Sequence, residues 1–154
     1  DVFPAYAGLD ALIEWDEQVE IRILSPFDGY EYDLNNASVV CRVKFGETSV
    51  LLTGDAEIPA EKIALNELPA SYFSATILKM GHHGSSTSTG AALFDAVKPE
   101  AAFMSLGEDN SYGHPHREII ELLNGAKIPY YRTDESGIIH FTLDGTGWSV
   151  KTEK

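Results

Sequence analysis

The sequence is poor in cysteine and in long hydrophobic runs. Its single cysteine among 154 residues, Cys41, excludes an internal disulfide and any metal cage built from cysteines. Within its apolar surroundings Cys41 is expected to be a small buried hydrophobe rather than a nucleophile. No apolar run approaches the roughly 20 residues of a membrane span, and no basic segment followed by an apolar one opens the chain as a leader.

Basic residues are also scarce. The chain has 11 Lys and Arg against 24 Asp and Glu, which gives a formal net charge of −13 at pH 7. Proteins that hold DNA by its backbone usually carry a basic stripe, and here the basic residues are scattered. If a polyanion is the substrate, a metal ion or a separate domain must therefore supply positive charge. The default interpretation of the acidic excess is a soluble surface.

The length fits one domain over residues 1–154, and hydrophobic periodicity predicts alternating strands and helices. Strands are predicted over 19–24, 37–45, 49–53, 75–80, 101–106, 128–132, 138–143 and 148–152. Helices are predicted over 59–65, 90–97 and 114–123, a loop over 28–36, and residues 7–15 could form a short helix. This order predicts an α/β sandwich with a mixed sheet flanked by helices.

Histidine, in contrast, is concentrated. Four of the five histidines form two pairs, His82/His83 and His114/His116. The first pair follows one predicted strand, the second pair follows the next, and Asp55 follows an earlier strand in the sequence Thr-Gly-Asp. Catalytic groups collect where strands give way to loops at one sheet edge. If these strands share a sheet, we expect the five side chains to converge.

Neutral imidazoles with a carboxylate are a ligand set for zinc, manganese or iron, and a paired metal site can clamp a phosphoryl group. Each motif also has a plainer interpretation: a turn at Gly-Asp, or solvated histidines beside a helix. His140 lies in an alternating strand and is interpreted as a packed or surface residue. Ser85, Ser86 and Thr87 could contact phosphate or simply lead to a helix cap.

Four separated motifs carry a family resemblance: Leu51-Leu-Thr-Gly-Asp-Ala-Glu57, Leu78-Lys-Met-Gly-His-His-Gly-Ser-Ser86, Tyr112-Gly-His-Pro-His-Arg-Glu118 and Tyr131-Arg-Thr-Asp-Glu-Ser-Gly137. Over about residues 33–143 the chain resembles the C-terminal half of the metallo-β-lactamase-fold domain of the ComEC/Rec2 family of competence proteins. The resemblance implies half of an αββα sandwich. It also implies a metal-dependent hydrolase, a phosphodiesterase or DNase acting on DNA during uptake, in a domain attached to a membrane channel outside the cytoplasm.

The same resemblance implies roles for the five residues. Asp55 would bridge two divalent metal ions, Zn²⁺ or Mn²⁺, and one of the adjacent histidines, His83 by preference, would complete the second ion. His82 would then lie nearer the phosphate. His114 and His116 would line the site, protonating the leaving oxygen or holding the scissile phosphate.

One departure from the family is large. Its cluster His-x-His-x-Asp-His has no counterpart here, since no histidine precedes His82. We therefore expect a partial domain without its N-terminal metal-ligand lobe, with weak or no metal binding and no hydrolysis by this chain alone. An open sheet face would favour a homodimer. Two alternatives stay open: a hydrolase of a small phosphoester or thioester, and a non-catalytic, metal-free binding module.

Overall fold

The computed structural model describes residues 5–154, apart from the side chain of Glu14. Seven strands form one sheet in sequence order: β1 (Leu12–Asp16), β2 (Val19–Ser25), β3 (Val40–Phe45), β4 (Thr48–Leu52), β5 (Ile77–Lys79), β6 (Ala101–Met104) and β7 (Tyr130–Arg132). Strands β1 to β4 are antiparallel to one another, and β4 to β7 are parallel. The predicted mixed α/β sheet is confirmed.

The helices are the connections that parallel strands require. They are α1 (Ile58–Glu67), α2 (Ala91–Val97) and α3 (Arg117–Ala126), while the single turn α4 (Thr133–Ser136) leads from β7 to a separate hairpin. Pro59 lies in the first turn of α1, where a missing N–H costs nothing. Lys98 and Lys127 end α2 and α3 in the left-handed conformation, with φ of 52° and 57°.

One face of the sheet packs against these helices. Leu51 pairs in register with Leu78, and both are fully buried in a cluster that also contains Ala64, Leu93 and Leu123 from α1, α2 and α3. Burying a leucine-sized side chain contributes about 1.5–3 kcal/mol, so this face supplies most of the sheet's hydrophobic stabilisation.

A two-stranded hairpin, β8 (Ile139–Leu143) and β9 (Trp148–Thr152), lies against part of the opposite face. The Phe141 ring lies 5.6 Å from the Phe103 ring of β6 and 5.6 Å from the Tyr131 ring of β7. His140 is exposed on β8, which agrees with its interpretation as a packed or surface residue. No helix within residues 5–154 combines the length and the apolar character needed to cross a bilayer.

Two sequence predictions need correction. The short helix over 7–15 is wrong, because residues from Leu12 onward pair with β2 (Ile13 opposite Ile21), and cross-strand pairing prevails over weak local preference. The helix predicted from residue 114 begins at Arg117 instead. Cys41 is half-buried rather than fully buried as predicted, and burial raises the pKa of its thiol, which disfavours a nucleophilic role.

Candidate functional site

The five residues singled out by the sequence come together at one edge of the sheet. Strands β4, β5 and β6 are adjacent and parallel, so their carboxyl ends share that edge. Asp55 follows β4, His82 and His83 follow β5, and His114 and His116 lie between β6 and α3. The His114 ring is central, 5.6 Å from that of His82, 6.5 Å from that of His83 and 4.7 Å from that of His116.

The turn that carries His82 and His83 has an unusual backbone. Both residues adopt left-handed φ angles, 46° and 57°, which for non-glycine residues cost on the order of 1–3 kcal/mol each. Such a turn persists only when its surroundings hold it. The N–H of His82 donates to the Gly54 carbonyl at 3.1 Å, and the N–H of Gly81 donates to the Thr89 hydroxyl at 2.8 Å.

The protonation pattern of His83 follows from its partner. Its Nδ1 lies 2.5 Å from the backbone carbonyl of Ser105, which can only accept, so Nδ1 carries the proton. The lone pair of Nε2 is then free, and Nε2 lies 3.5 Å from Oδ1 of Asp55. Metal-binding histidines are commonly oriented in this way, with one nitrogen donating to a carbonyl and the other free.

His82 is oriented by Glu57, a residue that the sequence analysis did not select as a site residue. Its Nδ1 lies 3.2 Å from the carboxylate of Glu57, which also accepts a hydrogen bond from the Thr87 hydroxyl at 2.8 Å. This contact directs Nδ1–H of His82 away from Asp55 and leaves its Nε2 free. No contact like that between His83 and Asp55 joins His82 to Asp55 among the described residues.

His116 has the opposite tautomer. The backbone N–H of Ser86 donates to its Nδ1 at 3.0 Å, and the Ser86 hydroxyl lies 2.9 Å from the same atom. Because Nδ1 accepts, the neutral ring carries its proton on Nε2 and can donate from there. Backbone contact between the two loops, His116 N–H to Gly84 carbonyl at 2.9 Å, fixes this arrangement.

His114 is held by its backbone and surrounded by other rings. The Asn110 side chain accepts from the His114 N–H at 2.9 Å and donates to the His114 carbonyl at 2.8 Å. Burial lowers the pKa of His114, and the neighbouring imidazoles of His116, His82 and His83 lower it further, with Asp55 opposing them. His114 is therefore neutral at pH 7.

A half-buried lysine lies beneath the turn. The Lys79 ammonium donates to the carbonyls of Gly54 and Met80, at 3.2 and 3.3 Å. Burial lowers the pKa of Lys79, and the Asp55 carboxylate opposes that shift. Lys79 ends a strand whose side chains alternate between faces, so no sequence pattern distinguished it from a surface lysine.

Asp55 and His83 are chemically suited to a divalent metal. Tetrahedral zinc ligands at about 2.0–2.2 Å stand roughly 3.3–3.5 Å apart, and the 3.5 Å between Asp55 Oδ1 and His83 Nε2 fits that spacing. The shell is partial, however: no group of three or more His, Cys, Asp or Glu side chains within residues 5–154 is arranged to hold an ion. Structural and catalytic zinc sites take at least three protein ligands.

A cavity of about 370 Å³ opens beside this pair. It is lined by His83, Ser105, Leu106, Gly107, Asn110, Tyr112 and His114. A larger cavity of about 710 Å³ lies at the β1–β2 edge of the sheet and contains none of the five candidate residues. The smaller cavity is therefore the one that adjoins the chemistry.

Sequence comparison agrees with this architecture. Residues 4–108 match the family described as the metallo-beta-lactamase superfamily. A parallel sheet edge that gathers an aspartate and paired histidines is the arrangement that the strand-end positions of these residues predicted. The chain belongs to the metallo-beta-lactamase superfamily.

Within that superfamily the chain is similar to three much longer bacterial proteins. The chain is 36% identical over 125 residues to ComE operon protein 3 of Bacillus subtilis (strain 168), a match covering 81% of the chain and 16% of the relative. It is 34% identical over 141 residues to Competence protein ComA of Neisseria gonorrhoeae, covering 92% and 20%. It is 38% identical over 125 residues to Recombination protein 2 of Haemophilus influenzae (strain ATCC 51907 / DSM 11121 / KW20 / Rd), covering 80% and 15%. The chain thus spans a fifth or less of these relatives.

Proposed function

We propose that this chain is a portion of a metal-dependent phosphodiesterase that acts on DNA during competence-related uptake. The observation that carries the proposal is the Asp55–His83 pair, with its free Nε2, at the same edge as His82, His114 and His116. The relatives named for competence support the DNA context. The superfamily supports hydrolytic chemistry.

In this proposal Asp55 and His83 hold divalent metal, Zn²⁺ or Mn²⁺, together with ligands from the N-terminal metal-ligand lobe of the fold. When bound, the metal ions supply Lewis acidity and offset the phosphate charge, which a chain of net charge −13 cannot do. His83 is kept in its metal-binding tautomer by the Ser105 carbonyl. The chain alone, with a partial shell, binds metal weakly and does not hydrolyse substrate.

The three histidines that are not proposed as metal ligands, His82, His114 and His116, have separate roles at the phosphate. His116 donates from Nε2 to a phosphate oxygen, because its Nδ1 already accepts from Ser86; a neutral ring in this state is a better anchor than an acid. His114, neutral at pH 7, also serves as an anchor. The His82 ring lies 5.6 Å from that of His114. While Glu57 holds Nδ1–H, the free Nε2 of His82 can take up a proton and pass it to the leaving oxygen.

The proposed setting is a domain attached to a membrane channel, outside the cytoplasm, with DNA as the substrate. The other proposed partners of the chain are the N-terminal metal-ligand lobe and, by the sequence prediction, a second copy of the chain. Leu12, Ile13 and Trp15 on edge strand β1 are 48%, 45% and 78% exposed, an apolar surface suited to such packing. Sedimentation at increasing concentration tests the homodimer, and a monomer throughout contradicts it.

The test of the function is hydrolysis by a longer version of the protein that includes the N-terminal metal-ligand lobe. With Mn²⁺ or Zn²⁺ present, His83→Asn is expected to lower cleavage of a labelled DNA oligonucleotide at least 100-fold, since it removes a metal ligand. The matched control is His140→Asn, which changes an exposed histidine on β8 and should leave the rate unchanged. Full activity in His83→Asn contradicts the proposal.

Substrate choice separates the alternatives. A bis(p-nitrophenyl) phosphate, a small thioester and a DNA oligonucleotide are compared in the same assay. Preference for the thioester or the small phosphoester favours the alternative hydrolases. No metal-dependent turnover of any of them by the completed domain favours the non-catalytic binding module.

A further inference from the structure

Tyr112 is an exposed aromatic ring at the mouth of the smaller cavity. Its side chain is 78% exposed, among the most exposed large hydrophobic residues of the described chain. The ring lies nearly parallel to that of His114, with centroids 5.8 Å apart and 21° between the planes. The hydroxyl makes no hydrogen bond among the described residues, so the ring rather than the polar group is what the loop presents.

The loop holds this ring in place. Gly113, with a φ of 73°, makes the tight turn that brings Tyr112 and His114 side by side. Asn110 fixes the far end through two hydrogen bonds to the backbone of His114 and donates to the Gly107 carbonyl at 3.2 Å. An aromatic side chain on a fixed loop loses little conformational entropy when a flat ligand stacks on it.

The cavity connects the ring to the candidate metal pair. His83 lines one part of it, Tyr112 and Leu106 another, and its volume of about 370 Å³ lies within the range typical of small-ligand pockets. A phosphate held beside His83 would therefore place its attached nucleoside next to the Tyr112 ring. No lysine or arginine among the described residues lines the cavity, so affinity for that nucleoside must come from something other than charge.

We propose that Tyr112 is a stacking platform for an unpaired nucleobase next to the scissile phosphate, so that the site takes single-stranded rather than duplex DNA. The inference rests on the proposed function, because it assumes a nucleotide phosphate at the Asp55–His83 pair. Bases in a duplex are already stacked and paired, whereas those of a single strand are free to lie on an aromatic face. Stacking involves no net charge, which suits a chain of net charge −13.

The test compares 2′-deoxyadenosine 5′-monophosphate with 2-deoxyribose 5-phosphate, which lacks the base, by NMR titration of the protein completed with its N-terminal lobe and loaded with Zn²⁺, because the metal offsets the phosphate charge. The nucleotide is expected to bind at least fivefold more tightly and to shift the Tyr112 ring protons upfield, given the usual contribution of base stacking. Tyr112→Ala should abolish the difference between the two ligands. Tyr112→Phe should keep it, because the ring remains.

Trp15→Ala is the matched control, because Trp15 is also 78% exposed but lies on β1 beside the other cavity. It should leave both affinities unchanged. Equal binding of the two ligands, no binding of either, or base-dependent binding that survives Tyr112→Ala overturns the platform. The binding difference tests the role of Tyr112, and the hydrolysis assay of His83→Asn tests the proposed phosphodiesterase. Either proposal can therefore be refuted without the other.

Discussion

Glu61 offers a prediction about stability that can be worked out from its surroundings. This residue of α1 is only 6% exposed, and its carboxylate accepts hydrogen bonds from the N–H groups of Thr89 and Gly90, at 2.5 and 2.9 Å. Thr89 in turn accepts from the Gly81 N–H at the start of the histidine turn. Burial raises the pKa of Glu61 to about 7, and the two N–H donors only partly oppose that shift.

The sign of the pH dependence follows. Because the folded pKa lies above the ordinary value of 4.5, the native state holds the proton more tightly than the unfolded chain does. The stabilisation is fully present below about pH 4.5 and is lost as the pH rises through about 7. A shift from 4.5 to about 7 corresponds to about 3 kcal/mol of the free energy of unfolding.

The perturbation is Glu61→Gln, which removes the titration while keeping the shape. Urea unfolding of both proteins at several pH values between 4.5 and 8 gives the difference in stability, wild type minus variant, which is expected to fall by about 3 kcal/mol across that range. Glu67→Gln, on the same helix but exposed, is the control and should show no such trend. A difference independent of pH would refute the reasoning, since it would mean that the two N–H donors fully offset the burial of the charge.

Two further substitutions probe the supports of the site. Asn36→Ala should lower the free energy of unfolding, measured in urea, by about 3 kcal/mol, because the buried Asn36 amide oxygen accepts from the N–H groups of Glu57 and Ala60, each at 3.2 Å. Wild-type stability in this variant would contradict that role. Gly84→Ala should cost about 2 kcal/mol and shift the NMR signals of the His116 ring, because a Cβ there would lie 2.8 Å from Pro115 Cβ at a φ of 83°. Unshifted His116 signals would contradict this, since they would mean that the added Cβ is accommodated without moving the loop that carries His116.

Much of the fold could be read from local pattern. The hairpin of β3 and β4, the short strands β5 and β6 and the helix between them follow from periodicity and from glycine and proline positions, which are local properties. The failure over residues 7–15 has the opposite origin. Those residues lack a strong preference of their own, and Leu12–Asp16 becomes a strand only because β2 offers a partner.

The candidate site divides in the same way. The sequence selected Asp55 and the four histidines, since scarce titratable residues at strand ends point to chemistry. It could not select Glu57 or Ser105, because each acts through a contact with a residue more than twenty positions away. Nothing in the residue type of Ser105 matters here, as only its backbone carbonyl is used.

By itself, then, the sequence determined which side chains are available for chemistry and that each follows a strand. The tertiary structure decided which of them meet. Parallel pairing of β4, β5 and β6 puts Asp55 3.5 Å from His83, while neighbouring His82 turns to Glu57. The residue types alone do not distinguish His82 from His83. They become different because an imidazole's free nitrogen is set by whatever donor or acceptor the fold places against the other one.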